Sequence, residues 1–273
     1  GKLSQRLFSD IDLRYVRGFD MFLQKRGCCG NTRKFYFKAL RAILNRANAE
    51  GVGSVATYPF GRGGFEVSKL EEATAKRYLP AAKLSKLKSS TASNPQCEYA
   101  RKLFLFSYYC YGISFIDMAM LTAAHIKQME DGDYIVYKRQ KIKRQKGVKP
   151  ISIKITPAIR QLIGSLQAAS PTVDDFLLPI VTRSGYTGER LYMHIRTRYS
   201  KYQKYLRLLA EELGIDFHLT SYVSRHTAAM TLQRNNIPRE VISQMLGHAD
   251  LETTNIYLDS FDNRVINEAA KVL

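Results

Sequence analysis

Arg225, His248 and Tyr257, near the end of a 273-residue chain, are residue types that together do covalent chemistry. A phenol acts as a nucleophile when a neighbouring group serves it, and guanidinium and imidazole donors stabilise the negative charge that builds up in a transition state. The competing account of Tyr257 is plain: the chain has 17 tyrosines, and any one of them can be a core aromatic. The choice depends on whether local structure can bring the three side chains together.

The segment LTSYVSRHTAAMTLQRNNIPREVISQMLGHADLETTNIYLDS carries its own punctuation. Thr220 or Ser221 caps a helix in which Tyr222, Arg225 and Ala229 share a face, and Asn235-Asn236 ends it. Pro238 starts a second helix, and Gly247 stops it in the manner of a residue just past a helix end, leaving His248 on the turn beyond. Asp250, or the step Leu251-Glu252-Thr253, opens a third short helix that carries Tyr257. Compact helical hairpins of this kind can bring Arg225, His248 and Tyr257 to one place.

Composition bounds the partner. Lys and Arg number 42 against 24 Asp and Glu, a formal charge of +18, which implies a polyanion without choosing between DNA and RNA. The four cysteines, Cys28, Cys29, Cys97 and Cys110, lack paired metal-type spacing, so neither a metal site nor a disulfide framework is expected, and the compartment reads as the reducing cytoplasm. The longest apolar stretch, around Leu103 to Phe106, is far below the roughly 20 residues of a membrane span.

The first third reads as helices. Asp10 or Ser9 caps a run with Ile11, Leu13, Val16, Phe19, Phe22 and Leu23 at helical spacing. A second helix from Asn31-Thr32 turns Tyr36, Leu40, Ile43, Leu44 and Ala47 inward and Arg33, Lys34, Lys38, Arg41 and Arg46 outward, a face fit for a phosphate backbone or simply a solvated one. Residues 1–60 are therefore expected as a helical domain, 61–78 as a linker, and 79–273 as a larger unit. Helices over about Gln96 to Tyr111 and Ser114 to Leu121, the latter with Ile116, Met120 and Leu121 inward, precede a change of pattern. Asp131-Gly132 marks a turn, Tyr134 to Tyr137 alternates, and Val148 to Ile153 offers a further strand, so a small antiparallel sheet is expected. Between its strands, seven of the twelve residues from Lys138 to Lys149 are basic, among them Lys138, Lys143 and Arg144, either a hairpin that reaches DNA or a charged edge that resists aggregation. Helices then run from Pro157 to the C-terminus, broken near Pro171 to Gly188. The fold class is mainly α with one small antiparallel sheet.

The Arg-His-Thr of 225 to 227, the Leu-Gly-His of 246 to 248 and the Thr-Thr-x-x-Tyr of 253 to 257 resemble the catalytic signature of the tyrosine recombinases, the phage integrase family, in order and in spacing. The likeness extends over nearly the whole chain, the first part resembling that family's helical core-binding domain. In FLFSYYCYGISFIDMAML and TSYVSRHTAA it is most similar to integrases of Bacteroides-type mobile elements. The resemblance implies Tyr257 as nucleophile on a DNA phosphodiester, with a 3′-phosphotyrosyl intermediate that conserves bond energy and needs no ATP or metal. It implies Arg225 as bidentate phosphate clamp, His248 as a second donor, and Lys141 of QKIK as the acid that protonates the leaving 5′ oxygen. If Arg139 and Lys141 lie on a strand, they share a face, and neighbouring cations with partial desolvation lower a lysine's pKa toward that task.

Two positions depart from the pattern. The family's first arginine precedes an acidic residue by three; with Asp117 as that acid, its place is held by Ser114, and the alternative place before Gly112 by Tyr111. Losing one guanidinium from such a cluster costs about 3 kcal/mol, or about a hundredfold in rate. Arg139 is the expected replacement, with Arg101 a weaker candidate read as a surface residue. Tyr222 stands where many relatives carry histidine; it is expected to contact the site without a defined base role. His226 reads as a packed core histidine, and Asp117 as an orienting acid.

The expectation is a DNA integrase or recombinase acting on a specific double-stranded site, monomeric when free and tetrameric on DNA, with an accessory DNA-bending protein as a further partner, in a bacterial cytoplasm at the nucleoid. The short amphipathic helix from Asn263 with Ile266, Ala269, Ala270 and Leu273 either packs on its own domain or docks on a neighbouring subunit. Alternatives are a type IB topoisomerase, a non-catalytic DNA-binding protein on the same scaffold, and a basic RNA-binding protein.

Overall fold

A computed structural model describes residues 7–72 and 77–248, together with Thr254 and Leu258. Two compact units divide at Ala75 and Lys76.

In the first unit, α1 (Leu13–Lys25) starts one turn later than expected: Ser9 and Asp10 belong to a 3-10 turn, and the Asp12 side chain accepts from Tyr15 N as the cap. Helix α2 (Gly30–Ala49) buries Phe37, Leu44 and Ala47, whereas Tyr36 and Ile43 face solvent. Leu40, Leu44 and Ala47 face the core as expected, and Phe37 takes the place foreseen for Tyr36 and Ile43. The core is completed by Phe60, Phe65, Val67 and Leu70, so residues 61–72 fold onto α2 instead of forming the linker foreseen at 61–78. Aromatic burial outweighs the local Pro and Gly punctuation there: Phe65 lies 4.5 Å from Phe37, ring to ring.

The second unit is built around α4 (Pro95–Tyr109), which is flanked by α6 (Pro157–Ala169), α7 (Gly188–Glu212) and α8 (Ser221–Arg234). Its run Leu103 to Phe106 is buried all round, as a helix enclosed on every side requires. The short α3 (Ala81–Ser89) and α5 (Phe115–Ala119) pack beside it, and α5 turns Phe115, Met118 and Ala119 inward while Ile116 and Met120 are only half-buried. The expected antiparallel sheet is present with order β1-β2-β3 (Ile126–Met129, Gly132–Tyr137, Ile151–Lys154). Ile135 pairs with Ile153 and Tyr137 with Ile151, and all four are buried on one face.

One expectation fails at this sheet. Strand β2 ends at Tyr137, so Arg139 and Lys141 lie on the connection to β3 and not on a strand face. Gln140 separates them, and its backbone N donates to Asp117 Oδ1 at 2.7 Å. Seven cations in twelve residues repel one another, which favours an open loop over a paired ribbon.

Candidate active site

Helix α8 presents Arg225 to the interior at 3% exposure, and α9 (Arg239–Leu246) packs against it after a left-handed Asn236 and Pro238. Gly247 closes α9 at φ 63°, the conformation expected of a helix-ending glycine, and turns the chain so that His248 faces back toward α8. Arg225 Nη2 and His248 Nε2 meet at 2.9 Å. A guanidinium only donates, so Nε2 accepts; Nδ1 then carries the imidazole proton and gives it to Thr254 Oγ1 at 2.7 Å.

Arg225 is anchored further. Its Nη1 donates to Gly112 O at 3.1 Å and its Nη2 to Leu246 O. Burial, and then the Arg139 charge, lower the guanidinium pKa to about 10, which leaves it protonated at neutral pH. Behind it, the hydroxyls of Ser107 on α4 and Ser224 on α8 meet at 2.7 Å, tying the two helices together beside the Tyr111-Gly112 turn.

Arg225 lines a cavity of about 380 Å³ whose other walls include Ser114, Arg139, Tyr222 and, from α7, Tyr192, Arg196 and Tyr199. The expected site residues Tyr222, Arg139 and Arg225 are thus brought together. Arg139 donates from Nη1 to Gly247 O at 3.2 Å. His248 lines a neighbouring cavity of about 610 Å³ between the basic loop and α9. Lys141 is exposed on that loop and lines neither cavity, and Lys138, Lys143 and Arg144 are likewise exposed. Tyr257 and the helix from Asn263 lie outside the described residues.

Ser114 caps α5 and donates to Asp117 Oδ2 at 2.6 Å, while Asp117, 3% exposed, also holds Gln140 N. Asp117 is therefore the orienting acid that was expected, and it fixes the root of the basic loop. Tyr111, at φ 57°, packs against the core and does not line the cavity, and burial raises its pKa. Arg101 is not a surface residue: at 9% exposure it grips Glu98 through Nε and Nη2, both at 2.7 Å, and donates to Leu87 O. His226 is half-buried, its ring edge against Tyr222 at 5.3 Å.

In the first unit the expected phosphate-facing cations divide. Arg33 Nη1 donates to both oxygens of Asp20 at 2.9 Å, and Lys34 pairs with Glu71 at 2.7 Å, so both charges are already compensated within the fold. Lys38 and Arg41 are exposed and share a surface depression with Arg62.

Sequence reasoning passed over Thr254 and Arg196. The signal for Thr254 was the second threonine before Tyr257, which is fully buried with its hydroxyl on His248. Thr254→Val keeps the shape and removes the acceptor that fixes the imidazole; it is expected to slow the reaction at this site about tenfold, with Thr254→Ser near wild type. Single-turnover rates of the two variants check this, and equal rates for valine and wild type would rule the role out.

A model of the phage integrase family matches residues 77–264, and one of the phage integrase SAM-like domain matches residues 2–66. Tyrosine recombinase XerD of Halalkalibacterium halodurans is 43% identical over 54 residues, covering 20% of this chain and 18% of the relative. XerD of Brucella abortus is 30% identical over 119 residues, or 42% and 35% of the two chains. The chain thus spans about a third or less of the length of these curated relatives. Among solved structures, the Tn1549 transposon integrase in complex with a circular intermediate DNA aligns at TM-score 0.67 and 12% identity, covering 97% of this chain and 86% of that one. XerH site-specific recombinase bound to its difH substrate aligns at 0.65 and 18% identity, covering 96% and 71%. These two likenesses are ones of fold.

Proposed function

The chain belongs to the phage integrase family, and from that premise we propose that it is a site-specific recombinase that cuts and rejoins double-stranded DNA through a 3′-phosphotyrosyl intermediate. The observation that carries this reading is the Arg225–His248 pair at 2.9 Å beside a cavity that also takes in Arg139 and Tyr222. A guanidinium held in place by the fold, with the imidazole that accepts from it and a second guanidinium, Arg139, at the same cavity, is a fixed cationic site of the kind that a phosphorane with extra charge on its non-bridging oxygens requires.

In the proposed step the Tyr257 phenol oxygen forms a bond to phosphorus, the bond from phosphorus to the 5′ oxygen breaks, and the phenol proton passes to solvent. Lys141 gives a proton to the departing 5′ oxygen; its loop position lets it swing to that atom once DNA is bound. Arg225, His248 and Arg139 hold the phosphate, and Tyr222 contacts it. Rejoining reverses the step with another strand's 5′ hydroxyl, so no net bond energy is spent. The proposal extends to an assignment near the Bacteroides-type mobile-element integrases, supported by FLFSYYCYGISFIDMAML and TSYVSRHTAA, and to a tetramer on DNA resolving a Holliday junction. Lys38 and Arg41 of the first unit are the cations proposed to meet the DNA backbone there. No helix among the described residues is long and apolar enough to cross a membrane, and action on DNA at the bacterial nucleoid is part of the same proposal.

One observation favours a second reading, a DNA-binding protein that no longer cleaves: Ser114 and Tyr111 offer no cation where the family pattern has its first arginine. A nicked suicide substrate separates the two. The recombinase is expected to form a covalent protein–DNA adduct that survives denaturation and is absent from Tyr257→Phe. DNA binding with no adduct from the wild type would establish the second reading.

A further inference from the structure

The cavity at Arg225 is lined by three guanidiniums, those of Arg139, Arg196 and Arg225, and by no carboxylate. Like charges gathered in one cavity raise the cost of the folded state unless an anion joins them. The three are not equivalent. Arg225 is buried and bonded to two carbonyls, and Arg139 donates to Gly247 O. Arg196 enters from α7, exposed, and among the described residues its guanidinium makes no hydrogen bond or ion pair. It stands on one helix face with Tyr192 and Tyr199, four residues before it and three after, and both rings line the same cavity. Ser114 lies in the wall of that cavity too, its hydroxyl committed to Asp117, and its short side chain leaves the space open.

We propose that Arg196 contacts the DNA phosphate held at Arg225 and, entering the shared cavity from α7, supplies the guanidinium that Ser114 cannot. The inference rests on the recombinase reading of the site. A long arginine side chain from a different helix can serve because only its terminal fork need reach the non-bridging oxygens; the backbone that carries it is not constrained. The aromatic neighbours on its face give the sugar next to that phosphate an apolar wall.

The test uses the full chain, the nicked suicide substrate, and the variants Arg196→Ala, Arg196→Lys and Lys204→Ala, the last removing the same charge from α7 away from the cavity. Arg196→Ala is expected to slow single-turnover adduct formation at least tenfold, to flatten the plot of log affinity against log salt by about 0.9, and to lose most of its rate penalty when the scissile phosphate is a methylphosphonate that lacks one charged oxygen. Arg196→Lys should fall between alanine and wild type, and Lys204→Ala should keep the wild-type rate. A rate within twofold of wild type, an unchanged salt slope, or an undiminished penalty on the methylphosphonate would each overturn the proposal. Absence of adduct from the wild type sinks the recombinase reading instead, and the salt slope then decides by itself whether Arg196 meets a phosphate.

Discussion

Arg225→Ala is expected to lower covalent adduct formation by at least about a thousandfold, the upper range for losing one fixed donor at a charge-developing centre, and to destabilise the fold as well. The second effect follows from the contacts the side chain makes without DNA. Nη1 and Nη2 donate to the carbonyls of Gly112 and Leu246, which belong to different elements, and Nη2 also engages His248. Alanine leaves two interior carbonyls without these donors, at about 1–3 kcal/mol each, and lets His248 turn on its Thr254 hydrogen bond. Arg225→Lys separates the two roles: it keeps a charge but offers one point donor where a fork spans two carbonyls and an imidazole, so stability should recover in part and rate far less. Thermal melting and single-turnover kinetics on the same preparations measure both. An alanine variant that cleaves within tenfold of wild type would remove Arg225 from the proposed chemistry.

The meeting of Arg225 and His248 was legible in the sequence because each boundary that positions them is written locally. Asn235-Asn236, Pro238 and Gly247 end, start and end helices by their own backbone preferences, and two short helices joined by so short a connection have little freedom beyond that. The sheet was legible for the same reason, through Asp131-Gly132 and the alternation after it. What failed depended on partners distant in sequence. The run Phe35-Tyr36-Phe37 is apolar at every phase, and only packing against Phe60 and Phe65 decides that Phe37 faces in. Arg33 and Lys34 looked like free cations until Asp20 and Glu71 were found beside them. Residues 61–72 carried linker composition, yet Phe65 and Val67 found a core. Arg196 stayed hidden because nothing in α7 says which face looks at Ser114, and Thr254 because a hydroxyl's value lies in what it orients.

Gly112→Ala is the second large effect, and it reaches the site through the backbone. Gly112 follows Tyr111 at the end of α4, with φ angles of 57° and 72° in succession, and its N donates to Ser107 O at 2.7 Å while its O receives Arg225 Nη1. A left-handed φ already costs a residue with a side chain about 1 kcal/mol or more. The larger cost is steric. An added Cβ would overlap Arg225 Cα and stand 2.6 Å from its Cγ. The obstructing atoms include the backbone of α8 at Arg225, which is buried together with Val223, Ser224 and Thr227, so no rotamer change relieves the overlap. Either the turn or the helix must move, and in both cases Arg225 shifts relative to His248 and to the phosphate. The expected loss is about 3 kcal/mol or more, a melting temperature lower by about 6–12 °C for a unit of this size, with adduct formation slower even where the variant is fully folded. Gly164→Ala is the matched control: it lies in α6 with nothing within 4 Å of the new Cβ, and removing a helix-interior glycine should stabilise by about 0.5–1 kcal/mol. Opposite signs for the same chemical change, in one protein, would show that the close approach at Gly112 is what seats the guanidinium; a Gly112→Ala protein melting within about 1 °C of wild type would show that α8 can yield without cost.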